Sequence, residues 1–209
     1  MSGGALPTGR SVAKADVWCA CRRGPNEHDL ALAGDTIVAV IRLDAGDGHA
    51  PPSVFARVES STRGRTWSPP SLLADGIGSA RPRLALLQGQ MGSHLLLSGG
   101  RNPQHGKATS EMSVWVAADA AGSSAWRQYS VTAAHNRLAP AGTVRFTDQV
   151  NLTSAHRQIT GYSSLFRVEK DVAVLLYDVA DPRVDQRRCR KPLGSDVCAD
   201  MYAMRVRVL

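Results

Sequence analysis

The sequence predicts an all-β fold, and three observations carry this prediction. The apolar segments are short and rich in Val, Ile and Leu. They are separated by Gly, Pro, Asp and Ser, a pattern typical of strands joined by turns. No segment keeps a helical period for three turns, and pairs of similar strands recur along the chain, as they do in repeat folds.

Ten strands are predicted from these apolar segments. They are Asp29–Leu32, Thr36–Arg42, Ser53–Glu59, Arg83–Leu87, His94–Ser98, Met112–Ala117, Arg127–Val131, Gly161–Val168, Asp171–Tyr177 and Met201–Val208. Residues 25–209 contain no clear linker and are predicted to form one domain, whereas residues 1–24 stay unassigned.

The strand repeat has a length that fits a β-propeller. Strands that begin at Thr36 and at His94 each lead through a second strand to a tryptophan, and Trp67 and Trp126 are 59 residues apart. This spacing fits one four-stranded blade and its loops. A third strand pair begins at Val172, so the sequence predicts about three and a half blades. A propeller closes on itself and an open stack exposes strand edges, so we expect the chain to be part of a larger propeller.

The charge of the chain allows several kinds of partner. The 25 Lys and Arg residues exceed the 18 Asp and Glu residues, giving a net charge of +7. This excess suits an anionic partner, but it also fits a basic solvated surface. Nucleic-acid binding would draw on a basic cluster that has few aromatic residues for base stacking, so we expect no nucleic-acid partner. The cluster is Arg183, Arg187, Arg188, Arg190 and Lys191.

No membrane span or metal site is expected. No run of apolar residues reaches the length of a membrane helix, and residues 1–18 lack the apolar core of a secretory signal. The compartment therefore stays open. Cys19 and Cys21 have no further ligands at zinc spacing. Cys189 and Cys198 are either free thiols or a disulfide in an oxidising compartment.

One turn motif appears twice. Residues 60–67, with the sequence SSTRGRTW, resemble the sialidase Asp-box, S-x-D-x-G-x-T-W, and Thr62 stands where the aspartate usually lies. Residues 118–126 look like a second, degenerate copy that ends at Trp126. The motif is structural: Gly64 permits a tight turn between outer strands and the tryptophan packs into the blade.

A second resemblance to sialidases carries the chemistry. The segment Gly161–Leu165, with the sequence GYSSL, is followed by LLYD at 175–178. This is similar to the sialidase pair in which a Tyr opens one strand and an acidic residue ends the next, sixteen residues later. The resemblance implies that Tyr162 is the nucleophile and that Asp178, in place of the usual Glu, orients an arginine.

Two further residues fit the same family pattern. Asn26 and Glu27 resemble the sialidase N-E segment, whose Glu activates the nucleophilic Tyr. Arg42 follows Glu27 by fifteen residues, where the family has an arginine that binds the substrate carboxylate. The residue types suit these roles, because a phenol needs a neighbouring base. A guanidinium also binds a carboxylate through two parallel charged hydrogen bonds.

Candidate pocket residues in the middle of the chain are assigned from their position relative to the other motifs. Residues 79–84 and 97–102 look like family segments that line the pocket. Arg101 is our candidate for a further carboxylate-binding arginine. The polar residues His135, Asn136 and Arg137 are expected on a loop, either at the pocket rim or in solvent. Taken singly, Tyr162, Glu27, Arg42 and Asp178 could each be ordinary core-edge, loop or turn residues; together they keep the order and spacing of the family.

The resemblance therefore implies a six-bladed sialidase propeller, of which this chain holds about three to four blades. The implied activity is retaining exo-α-sialidase hydrolysis of terminal sialic acid from sialylated glycans, without cofactor or metal. Two family elements, an arginine of the first blade and the aspartate that protonates the leaving group, have no match upstream of Glu27. The alternative is a carbohydrate-binding propeller, or an inactive fragment of a sialidase, without catalysis.

Overall fold

The computed structural model describes residues 25–43, 54–73, 80–103, 110–146, 163–180 and 199–209. Tyr162, the four cysteines and the basic cluster at 183–191 lie outside these described residues, so the expectations placed on them stay predictions.

Three antiparallel sheets make up most of the described chain, which confirms the prediction of an all-β fold. The first sheet contains β1 (Pro25–Ala33), β2 (Thr36–Leu43), β3 (Val54–Ser60) and β4 (Ser71–Leu72), in that order. The second sheet contains β5 (Ala80–Gly89), β6 (Gly92–Pro103), β7 (Ser110–Ala117) and β8 (Trp126–Ser130), also in order. The third sheet has the order β11-β10-β9, with β9 at Ser163–Arg167, β10 at Val172–Ala180 and β11 at Ala199–Arg207.

The second sheet lies between the other two and buries apolar side chains on both faces. Successive residues of a strand point to opposite faces. On one face Leu97 and Trp115 pack with Val38 and Phe55 of the first sheet, and the Phe55 and Trp115 rings meet edge to face at 6.4 Å. On the other face Leu96 and its neighbours pack with the third sheet. The apolar runs of the second sheet are therefore strands covered on both sides.

The first strands of the three sheets run in the same direction. β1 contacts β5, and β5 contacts β9. The Arg81 N–H donates to Glu27 at 2.6 Å, early in both β5 and β1. The Leu84 N–H donates to Asp29 at 2.8 Å, at the middle of both strands. The Gln88 N–H donates to the Lys170 carbonyl at 2.6 Å, near the end of β5 and just after β9. The starts of β1, β5 and β9 thus share one end of the molecule, which we call the strand-start end.

One short helix follows β8. We predicted a strand over Arg127–Val131, but β8 ends at Ser130 and helix α1 runs from Val131 to Leu138. The Ser130 hydroxyl caps the helix by accepting the Ala133 N–H at 3.0 Å, which explains the change of structure at this residue. Within the described residues, no helix has the length and apolarity that crossing a bilayer requires.

The loop predicted for His135, Asn136 and Arg137 was wrong, because these residues belong to α1. His135 lies one helical turn after Val131, and both residues face the core between the second and third sheets. Only 3% of His135 is exposed. The Asn136 side-chain oxygen accepts the Phe146 N–H at 2.8 Å, so it anchors the segment that follows the helix.

The two Asp-box-like segments form turns held by side-chain oxygens. In the first, the Ser60 hydroxyl accepts the Gly64 N–H at 2.8 Å, and the Thr62 hydroxyl accepts the Thr66 N–H at 2.8 Å. Thr62 therefore makes a turn bond of the kind expected of an aspartate. In the second, the Asp119 carboxylate accepts the N–H groups of three residues, namely Ala121 at 2.8 Å, Ser123 at 3.1 Å and Ser124 at 2.7 Å.

We expect Asp119→Ala to lower the free energy of unfolding by about 1–2 kcal/mol, because three turn N–H groups lose their acceptor. Burial would raise the pKa of Asp119, but hydrogen bonds from Ser124, Ser123 and Ala121 outweigh it and lower the pKa to about 2. The stabilisation is therefore present above the usual pKa of 3.8 and is lost as pH falls towards 2. Urea titrations between pH 7 and pH 2 measure both effects.

Asp35→Ala is the matched control, since Asp35 is an exposed residue of the turn between β1 and β2. It should change the free energy of unfolding by less than about 0.5 kcal/mol. An Asp119→Ala variant that behaves like this control would show that the carboxylate does not hold the turn.

Candidate functional site

The candidate site is built around the carboxylate of Glu27. Glu27 Oε2 accepts a hydrogen bond from Arg42 Nη1 at 2.7 Å and another from the Arg81 main-chain N–H at 2.6 Å. Glu27 Oε1 accepts a third from Arg81 Nε at 3.1 Å. We call these three residues the Glu27 cluster.

Strand pairing brings the cluster together. β1 and β2 are antiparallel, so the start of β1 lies beside the end of β2, and an irregularity between Pro25 and His28 falls at Glu27. Arg42 lies near the end of β2. β5 begins beside β1 in the next sheet and carries its own irregularity between Ala80 and Arg83. The cluster therefore joins two sheets at the strand-start end.

Arg81 has an uncommon backbone conformation. Its φ is +56°, in the left-handed region, and Arg63 in the first Asp-box-like turn is the other non-glycine residue with positive φ among those described. A side chain in this region is strained, typically by about 1 kcal/mol or more. Arg81 also precedes Pro82, which further restricts its backbone. The conformation directs its N–H to Glu27.

The cluster carries a net positive charge, because two guanidinium groups surround one carboxylate. Burial alone would raise the pKa of Glu27, but the hydrogen bonds and charges of Arg42 and Arg81 outweigh it, so the pKa lies below its usual value of 4.5. Glu27 is therefore ionised at neutral pH. An ionised carboxylate can accept a proton, but its three donors weaken it as a base.

Arg42 is more enclosed than a simple substrate clamp would be. Its side chain is 6% exposed, compared with 25% for Glu27 and 15% for Arg81. Arg42 was predicted to bind a substrate carboxylate, whereas its described contact is with Glu27. Arg42 thus orients Glu27, and an anionic ligand would have to share its guanidinium.

The other predicted site residues are described less completely. Tyr162 lies outside the described residues, and Ser163, which follows it, begins β9 at the strand-start end. The backbone of Arg101 is part of β6, and its side chain is not among the parts of the chain that the structure describes. Asp178 is a half-buried residue of β10. The residue before it, Tyr177, pairs with Ser163.

A buried His–Tyr pair supports this region and was not predicted. His135 Nε2 lies 2.8 Å from the Val144 carbonyl oxygen, which can only accept, so Nε2 is the donor. Nδ1 lies 2.7 Å from the Tyr177 hydroxyl, and in the tautomer with its proton on Nε2 it accepts from that hydroxyl. Burial, with a smaller contribution from Tyr202, raises the pKa of Tyr177 to about 12. Tyr177 is therefore a neutral donor that fixes β10 next to Asp178.

Arg81 was the other residue that the sequence analysis did not single out. It was noted only within the segment 79–84, although an arginine before a proline at the start of a strand was visible there.

No group of three or more His, Cys, Asp or Glu side chains arranged to hold a metal ion occurs among the residues that the structure describes.

Comparisons with known proteins do not assign a family. A scan against protein-family models finds no match, and a search of curated protein sequences finds none either.

Proposed function

We propose that the chain is part of a six-bladed sialidase-type β-propeller and hydrolyses terminal α-linked sialic acid through Tyr162. The observation that carries the proposal is the ionised Glu27 carboxylate, held by two arginines at the strand-start end where β9 begins. The order of the sequence motifs supports the same function, because Glu27, Arg42, Tyr162 and Asp178 keep the spacing found in sialidases.

The propeller part of the proposal is supported by the arrangement of the sheets. Their first strands contact one another in chain order and run in the same direction, as the inner strands of propeller blades do. The face of the third sheet that points away from the second exposes large apolar side chains, with Phe166 at 68%, Leu176 at 43% and Met201 at 69%. A further blade would cover this face.

The proposed reaction needs a neutral nucleophile. Sialic acid carries a carboxylate on its anomeric carbon, and a phenol approaches this carbon without the repulsion that an anionic nucleophile would meet. Tyr162 forms a bond to the anomeric carbon and gives its proton to Glu27, while the bond to the leaving oxygen breaks. Water then releases sialic acid with the same anomeric configuration. Arg42 and Arg101 would neutralise the substrate carboxylate, and Asp178 would orient an arginine.

The basicity of the leaving group determines which substrate is best suited to test the proposed hydrolysis. A sugar alkoxide is a strong base and needs a proton as it leaves. A fluorescent phenol is a much weaker base and leaves without this proton. We therefore expect the chain to hydrolyse an aryl α-sialoside faster than a sialic acid joined to galactose.

Tyr162→Phe should abolish release of the fluorescent phenol, because the nucleophilic oxygen is removed. The measurement is the initial rate at equal concentrations of folded protein. Tyr129→Phe is the control, since Tyr129 lies on β8 and is 47% exposed, and the rate of this variant should equal that of the unsubstituted chain. Equal rates in all three proteins would overturn the assignment of Tyr162.

The second candidate function is sialoside binding without hydrolysis. The enclosed Arg42 side chain and the lowered pKa of Glu27 favour it, because both features suit a fixed anion site better than a strong base. A folded chain that binds free sialic acid in a calorimetric titration, yet releases no phenol from the aryl sialoside, would support this candidate over the enzyme.

A further inference from the structure

Arg81 contacts both oxygens of Glu27, which no other residue of the cluster does in the contacts described above. One contact comes from the main chain and the other from the guanidinium. The carboxylate is therefore held in one plane and cannot rotate without losing a bond. The described bond of Arg42 to Glu27 reaches Oε2, the oxygen that the Arg81 N–H also contacts.

We infer that Arg81 is a positioning residue for Glu27, which fixes the direction of its carboxylate. The inference rests on the proposed function only for the role of Glu27 as a base. The contact between the two side chains can be tested whether or not the chain is an enzyme.

The positive φ of Arg81 supports a functional role for its contact with Glu27. Strained conformations persist where surrounding structure holds them, and they concentrate at functional sites. Glycine would adopt a φ of +56° at lower cost. Arginine at this position is more strained than glycine would be, and in return its Nε donates a hydrogen bond to Glu27.

Among the residues that the structure describes, Arg42 and Arg81 are the cationic groups that contact Glu27. Arg42 approaches from β2 and Arg81 from β5. The next arginine on β5, Arg83, donates to the Pro82 carbonyl at 3.1 Å. Asp29, two residues after Glu27 on β1, accepts the Leu84 N–H. Removing the Arg81 guanidinium should therefore raise the pKa of Glu27 towards its usual value.

The test replaces Arg81 with glycine, which keeps the N–H bond and relieves the backbone while removing the guanidinium. The control is Arg63→Gly, because Arg63 also has a φ of +56° and its side chain is exposed. At pH 7 we expect Arg63→Gly to raise the urea midpoint of unfolding and Arg81→Gly to lower it. In a Glu27→Gln background, Arg81→Gly should no longer lower the midpoint.

The pH dependence separates positioning from simple stabilisation. The pKa of Glu27 is lowered in the folded chain, so its stabilisation is present above 4.5 and is lost as pH falls. The decrease in midpoint caused by Arg81→Gly should thus fade as pH falls below 4.5. In the hydrolysis of the aryl sialoside, the acid limb of the kcat/KM profile should move to higher pH in Arg81→Gly, and Arg63→Gly should leave it unchanged.

Two results would overturn the inference. One is that Arg81→Gly raises the urea midpoint, as Arg63→Gly does. The other is that the unsubstituted chain is active and Arg81→Gly leaves the acid limb of its kcat/KM profile at the same pH. If the unsubstituted chain releases no phenol but the coupling between positions 81 and 27 is measured, the proposed hydrolysis fails and the positioning of Glu27 stands.

Discussion

Glu27→Ala is expected to lower the free energy of unfolding by about 2–3 kcal/mol, because it removes a carboxylate that two enclosed guanidinium groups share. The Arg42 side chain is 6% exposed and the Arg81 side chain 15% exposed, so water replaces the lost partner poorly. The figure lies below the range for fully buried pairs, since Glu27 is itself 25% exposed. Equilibrium unfolding in urea at pH 7 measures the loss.

Glu169→Ala is the matched control for this prediction. Glu169 Oε1 lies 2.6 Å from Arg205 Nη2, a distance like that in the Glu27 cluster, but the two side chains are 49% and 63% exposed. An exposed pair of this kind contributes less than about 0.5 kcal/mol after solvent screening. Equal losses in Glu27→Ala and Glu169→Ala would mean that enclosure does not set the strength of the cluster.

The strand positions could be predicted because short apolar runs and the turn residues between them are local signals. Strand ends were less well predicted: β6 was expected at His94–Ser98 but extends over Gly92–Pro103. Residues 99–103 include two glycines and a proline, which form strands poorly by themselves. They stay in the sheet because they pair with β7, where Asn102 lies opposite Glu111.

The helix was missed because it is short and its signal is weak. α1 has eight residues, of which only Val131 and His135 are buried, so no sustained apolar period marks it. A polar triplet that includes His135 then favoured a loop. The tertiary partners of His135, Tyr177 and the Val144 carbonyl, are not sequence neighbours and could not be inferred from its surroundings.

The candidate site was predicted in part for a similar reason. Glu27 and Arg42 were singled out because their segments and their spacing resemble those of sialidases. The contact of Glu27 with Arg81 spans 54 residues and depends on β1 lying beside β5 in another sheet. It also depends on the positive φ of Arg81, which sequence propensity disfavours for arginine.

His135→Leu is expected to lower the free energy of unfolding by about 2–4 kcal/mol, because leucine fills the space but leaves two buried polar groups without a partner. These groups are the Tyr177 hydroxyl and the Val144 carbonyl. His28→Leu is the control, since His28 is exposed on β1, and it should change stability by less than about 0.5 kcal/mol.

A double-mutant cycle with Tyr177→Phe separates lost bonds from lost packing. In the double variant no tyrosine hydroxyl remains to be satisfied, so His135→Leu should cost about 1 kcal/mol less than it does alone. Additive losses would mean that the bond between His135 Nδ1 and the Tyr177 hydroxyl contributes nothing, and that the histidine acts through its ring contacts with Phe146 and Tyr202.

The same pair predicts a loss of stability in alkali. Tyr177 has a folded-state pKa of about 12 and a usual value of 10.0, so it ionises first in the unfolded chain. Its stabilisation is complete below pH 10 and declines as pH rises towards 12. Tyr177→Phe should be less stable than the unsubstituted chain at pH 8, yet lose less stability between pH 10 and pH 12. Parallel alkaline curves would mean that Tyr177 ionises as easily when folded, and the enclosure of this hydroxyl beside His135 would then have to be abandoned.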